Sequence, residues 1–268
     1  MFSPHHRAVF YQLLKREWYV FKGSLVDTMI NSLMITSFMS LLYGYFLPSL
    51  GIEYAYRIPL FIGAMLIFVI TIGYNIGMVL AQDLQSTKIT MYHFALPLPY
   101  WYVLLAYVVS TALKILAVTL PLVSVGLFLI GAYSALSISI GKLALIVFLA
   151  LIMNALLFLC LGIGLSFEMY LDNIWSRILA PLFTFSACFY TWGRLAQHSR
   201  PWSMVVLAGP LTYCAEGLRG AMLGGNDYIS FPICVAVISG LSLFLSYCAS
   251  IIIRRRLQLV LPRKTGRP

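Results

Sequence analysis

The chain has 268 residues, of which 61% are hydrophobic and only 10% charged. A soluble domain carries about a quarter charged residues, so this composition excludes one and indicates an all-α polytopic membrane protein. A β-barrel is disfavoured because the apolar runs are continuous, whereas barrel strands alternate over segments of ~10 residues. The net charge of +10 is concentrated at the two ends, which fits cytoplasmic termini under the positive-inside rule and gives no indication of nucleic acid as a partner.

Residues 1–22 form a two-faced helix. Val9, Leu13, Trp18 and Phe21 are apolar, while Arg7, Lys15, Arg16 and Lys22 are basic. Such a segment lies in the membrane interface against lipid headgroups, and its mixed polar and aromatic character does not read as a secretory signal. Six spans follow, at 26–47, 58–82, 101–131, 142–166, 175–193 and 229–253, each close to the ~20 residues that a spanning helix needs. With the N-terminus inside, Lys and Arg divide twelve inside to five outside. Both termini are therefore expected in the cytoplasm, with 254–268 as a basic tail.

The longest inside loop, "AQDLQSTKITMYHFALPLPY" at 81–100, begins with polar residues that extend the preceding helix. It ends in prolines, which remove a donor and restrict the residue before them. On the outer side, "GPLTYCAEGLRGAML" at 209–223 makes a helix of about 22 Å at ~1.5 Å per residue, short of a ~30 Å bilayer core. Gly209-Pro210 is a start signal and Gly224-Gly225 a stop signal. Leu211, Ala215, Leu218 and Met222 recur on one face, and Glu216 and Arg219 are spaced to pair. Residues 194–226 are expected to form a re-entrant element, with non-spanning backbone covered by protein or lining a wet cavity.

The stretch "GPLTYCAEGLRGAML" resembles the N-P-[LI]-x-Y…[ED]-x-[LF]-R segment of type-2 ABC exporter permeases. "FEMYLDNIWSRILAPLFTFSACFY" is similar to the stretch leading into that family's fifth span. Loop 81–100 sits where the family has a polar helix and a proline turn. Pro210, Leu211, Tyr213, Glu216 and Arg219 fall on motif positions; Gly209 stands where asparagine is usual, and Gln82-Asp83 replace a more acidic start. The resemblance implies a multi-pass permease subunit in a bacterial inner membrane, acting as an exporter of glycan, lipid-linked or drug-like cargo. It implies pairing with a second copy or a similar permease above two ABC ATPase subunits. Contact with the ATPase would come from Lys15, Arg16 and Glu17 and from Asp83, Gln85 and Lys88.

No phosphate-binding loop is present. That motif needs G-x-x-x-x-G-K-[ST], whereas Gly141-Lys142 is followed by Leu143. No cofactor is expected on this chain; ATP and Mg belong to a partner chain. Lys114 lies mid-span, where a charge costs about 2.5–3.5 kcal/mol on insertion scales; it either borders the pathway or snorkels. Asn75 and Asn154, like Asn31, either hydrogen-bond between helices or contact cargo. Glu168 and Asp172 are placed to pair with Arg177. The four histidines are scattered, so no metal site is expected, and an embedded enzyme would need a constellation that is missing. The five cysteines read as small apolar residues, with a Cys188–Cys214 disulfide left open. A secondary transporter, the alternative reading, would show repeats with broken helices.

Overall fold

A computed structural model describes residues 4–51, 53–95, 99–131, 136–225 and 227–260, and every regular element among them is helical. Among the described residues, five helices are long and apolar enough to cross a membrane: Ala8–Ser49, Arg57–Gln85, Tyr100–Leu129, Ile140–Gly164 and Phe231–Arg256. The first begins as α1 (Pro4–Leu41), passes through a π-helical turn at Leu42–Phe46 and ends in α2 (Leu47–Ser49). The expected interface helix and first span are thus one helix without a break.

The second is α3 (Arg57–Gln85), followed by the short α4 (Ile89–Ala95). The third is α5 (Tyr100–Leu129) and the fourth α6 (Ile140–Gly164). The last is α12 (Phe231–Val260), which carries the expected basic tail onward as helix through Val260. The remainder of that tail, the proline stop at 96–98 and Asn226 lie outside the described residues.

The expected fifth span at 175–193 is not an uninterrupted helix. The helical run starts earlier, as α7 (Phe167–Ile174), continues through a π turn at Trp175–Leu179 and ends in α8 (Ala180–Thr184). Ser166 caps its start by accepting from Met169 N at 3.4 Å. Apolarity placed the span too late, because Glu168 and Asp172 lower the hydropathy of a segment that is nonetheless helical. It also placed the end too late, because the carbonyls of Ala187, Cys188 and Tyr190 are taken by a side chain from elsewhere. Three shorter helices follow: α9 (Trp192–His198), α10 (Arg200–Leu207) and α11 (Pro210–Met222).

α3 is the axis of the packing, with α5, α6, α7 and α11 against it. The main apolar core joins Ile70 of α3, Met153 and Phe158 of α6, Tyr170 and Ile174 of α7, and Leu211 and Ala215 of α11. Close approach depends on Gly77, where a Cβ would run into the Tyr170 hydroxyl; small residues serve this purpose between membrane helices. Tyr170 also donates from its hydroxyl to Tyr74 O at 2.9 Å and stacks on the Tyr74 ring at 5.3 Å. These contacts seat α7 on α3.

Candidate functional site

Two clusters of polar side chains gather most of the residues singled out from the sequence. The first is built on α11. Gly209 is extended (φ −80°, ψ 121°) and Pro210 opens the helix, as its fixed φ and missing N–H favour. Thr212 Oγ1 donates to Val206 O at 2.7 Å and Tyr213 OH to Leu207 O at 2.9 Å, tying α11 back to the end of α10. At the other end Gly224 and Gly225 take positive φ of 67° and 88°. Ser137 N and Ser139 N donate to the carbonyls of Met222 and Ala221, each at 2.9 Å, so the last turn is capped by the segment leading into α6.

Inside this frame, Arg219 and Glu216 are both 0% exposed and pair at 2.8 Å. Arg219 Nε donates to Pro59 O at 3.0 Å, Nη1 to Ala187 O at 2.5 Å and Tyr190 O at 2.9 Å, and Nη2 to Cys188 O at 3.0 Å. Glu216 accepts from Trp192 N at 3.2 Å and Ile229 N at 3.4 Å. A buried charge is tolerated when its partner and its remaining hydrogen-bonding groups are all supplied. Here the pair fastens the start of α3, the turn after α8, the start of α9 and the approach to α12. Both side chains are sealed from solvent, so the arrangement holds elements together and offers no group for reaction.

Gly63 was not singled out from the sequence, yet a Cβ there would overlap the Cys188 carbonyl. The only trace in the sequence is a lone glycine in the apolar run "IPLFIGAM". Cys188 and Cys214 are both buried free thiols, so the disulfide left open is absent.

The second cluster lies where α1, α3, α4 and α5 meet. Asp83 near the end of α3 accepts from Thr87 Oγ1, from Ile89 N at 3.3 Å and from Thr90 N at 2.8 Å. It thereby caps α4, and the turn between passes through Lys88 at φ 56°. His93 of α4 accepts from Arg16 Nη1 at 2.9 Å through Nε2. Burial first, and Arg16 second, push His93 below its ordinary 6.5, with Glu17 and Asp83 opposing. Beside Arg16, Glu17 accepts from Lys114 Nζ at 2.7 Å.

Lys114 therefore turns inward to a carboxylate on α1. Lys15, Gln85 and Lys88 are exposed, with Lys15 Nζ 5.9 Å from the Tyr19 ring centre. Lys114, Asn75 and Asn154 sit on three different helices, α5, α3 and α6. Asn154 is buried and donates to Val69 O at 3.0 Å, as a helix-to-helix hydrogen bond should. Asn75 faces outward on α3. Glu168 and Asp172 make no ion pair with Arg177 among the described residues, and no cluster of metal-binding side chains occurs there.

A family model described as ABC-2 type transporter matches residues 8–223. The chain belongs to the ABC-2 type transporter family. The match begins in α1 and ends just past α11, so the Arg219–Glu216 and Lys114–Glu17 pairs both fall inside it. Neither a curated protein nor a solved structure matches this ABC-2 transporter chain. Its family makes it a multi-pass membrane transport component, of a kind that generally works with ABC ATPase partners.

Proposed function

We propose that this ABC-2 chain is the permease subunit of an exporter, driven by a separate ABC ATPase that carries the ATP and Mg. The observation that supports coupling is the polar line from His93 of α4 to Arg16, ion-paired at 3.7 Å with its neighbour Glu17, and on to Lys114 within α5. Force applied to α4 reaches a membrane helix through it. The exposed Lys15, Gln85 and Lys88 around that line provide the contact surface for the ATPase. Two ATPase copies dock beneath two permeases, either identical or similar, and the path forms between the permeases.

Both termini then lie in the cytoplasm of a bacterial inner membrane. The run from α7 to α8 serves as the fifth of six crossings, and 194–225 folds back at the outer mouth. Cargo of the glycan, lipid-linked or drug-like class suits this layout. Co-purification with the candidate ATPase, followed by cargo-stimulated ATP hydrolysis in lipid, tests the proposal. A purified pair whose hydrolysis ignores both cargo and deletion of 83–90 would overturn it. Cysteines at 55, 136 and 198 are expected to react with an impermeant thiol reagent from outside, and those at 88 and 265 to stay unlabelled.

A further inference from the structure

α5, α6 and α12 leave a groove of about 750 Å³, open along one side and walled mainly by apolar side chains such as Trp101, Leu105, Leu113, Phe148 and Leu243, with Ser239, Ser242 and Ser246 on the α12 side. All three helices are long and apolar enough to span a membrane. Ser242 Oγ already donates to Ile238 O at 2.8 Å, and a wall with so few polar groups offers water few partners at hydrocarbon depth, so an apolar occupant is favoured. The volume falls within the ~300–1,000 Å³ usual for ligand sites. Along α5 the groove runs from Trp101 to Leu116, about 22 Å of helix at ~1.5 Å per residue, and more than half of a ~30 Å core.

The end at Trp101 has a different character. Arg254 of α12 donates from Nη2 to the Tyr100 hydroxyl at 2.6 Å, and its guanidinium lies 4.9 Å from the centre of that ring. Arg254 follows the groove-lining Leu243 by eleven residues, about three helical turns, which puts it on the same side of α12. It is exposed and has no carboxylate in ion-pair range among the described residues. An arginine with a tyrosine and a tryptophan at the end of an apolar groove has the composition of a headgroup level. A guanidinium fork suits phosphate oxygens.

We propose that this groove holds an acyl chain of an anionic phospholipid whose phosphate is bound by Arg254 beside Tyr100. The site adjoins α4, which packs against both α5 and α12, and it draws its lipid from whichever leaflet meets that end of α12.

Trp101 reports on the groove directly. The purified transporter is placed in vesicles of phosphatidylcholine with increasing fractions of chain-brominated phosphatidylglycerol or chain-brominated phosphatidylcholine. Quenching lost on Trp101→Phe isolates the signal from this side chain. Brominated phosphatidylglycerol is expected to quench Trp101 at a several-fold lower mole fraction than brominated phosphatidylcholine. Arg254→Lys should keep most of that preference and Arg254→Gln should abolish it. Equal quenching by the two lipids in the unaltered protein would mean bulk bilayer only and overturn the proposal. Trp101 quenched by neither would mean that another protein surface covers the groove, and would overturn it as well. A preference that survives in a monodisperse Arg254→Gln protein would remove Arg254 from the site.

Discussion

The two charged clusters contain ion pairs of almost the same length and opposite circumstance. Arg219–Glu216 is 2.8 Å with both side chains fully buried. Lys114–Glu17 is 2.7 Å with side chains 11% and 29% exposed. The first is surrounded by backbone groups that consume its remaining donors and acceptors. The second sits at the edge of a patch where Arg16, His93 and Glu17 share partners. A charge with every bond supplied and no water has one stable arrangement. A charge with water and several partners within reach has more than one. The Arg219–Glu216 cluster is therefore suited to rigidity, and the cluster around Arg16, Glu17 and His93 to passing on a displacement.

The largest expected effect comes from separating the buried pair. Arg219→Met leaves Glu216 uncompensated and four carbonyls without their donor, and breaking a buried pair costs about 3–5 kcal/mol. Membrane-inserted protein should fall sharply, as read by immunoblot and detergent thermal unfolding. Adding Glu216→Leu should recover part of the loss and no more, because the carbonyls of Pro59, Ala187, Cys188 and Tyr190 remain unserved. Normal yield from Arg219→Met alone would show that the Arg219–Glu216 cluster is not a fastening.

Next in size is Gly63→Ala. The added methyl meets the Cys188 carbonyl, a backbone atom that cannot rotate away, so a loss of about 1–3 kcal/mol is expected. A thermal midpoint equal to that of the unaltered protein would contradict the packing described.

At the Glu17–Lys114 pair, whose side chains are 29% and 11% exposed, removing one partner should cost less than at Arg219, about 1–2 kcal/mol in stability. The expected signature is functional. Glu17→Gln and Lys114→Met should each reduce cargo-stimulated ATP hydrolysis with little change in protein level. The double variant should lose no more than the worse single one, and additive losses would separate the two residues.

The smallest effect concerns pH. His93 accepts from Arg16, which requires a neutral ring, and its pKa is lowered from 6.5. The unfolded segment therefore binds its proton first as pH falls. The contribution of the contact is complete above 6.5 and declines as pH drops through the lowered value. Protection against hydrogen exchange in Ile89–Ala95, taken relative to the intrinsic rate at each pH, should fall over that acidic range, and His93→Gln should flatten the response. A loss of protection confined to the alkaline side would reverse the assignment.

Local chemistry made much of this legible. Gly209-Pro210 and Gly224-Gly225 delimit α11, and the three-residue spacing of Glu216 and Arg219 foretells their pairing. Apolar length marks five of the helices. What stayed hidden depends on distant segments. Arg219 reaches Pro59 across 160 positions of chain, and Lys114 reaches Glu17 across 97. Nothing near Lys114 distinguishes a pathway lysine from one paired on another helix. The same remoteness explains the misplaced fifth span: hydropathy records what a segment prefers, whereas the turn at 185–191 exists because a guanidinium elsewhere collects its carbonyls.

The π turn at Leu42–Phe46 carries a consequence for how this chain tolerates change in length. A π turn is an α-helical turn holding one surplus residue. That residue resets the angular phase of everything beyond it by about 100°. Tyr43 and Gly44 are buried at this turn, with Gly44 set so that a Cβ would lie 3.2 Å from Ile130 Cγ1. Deleting one residue there would leave the apolar length of the helix almost untouched and turn Leu47–Ser49 to a different side. Two related chains that differ by that single residue would give the same hydropathy profile while presenting different faces at the end of the first helix.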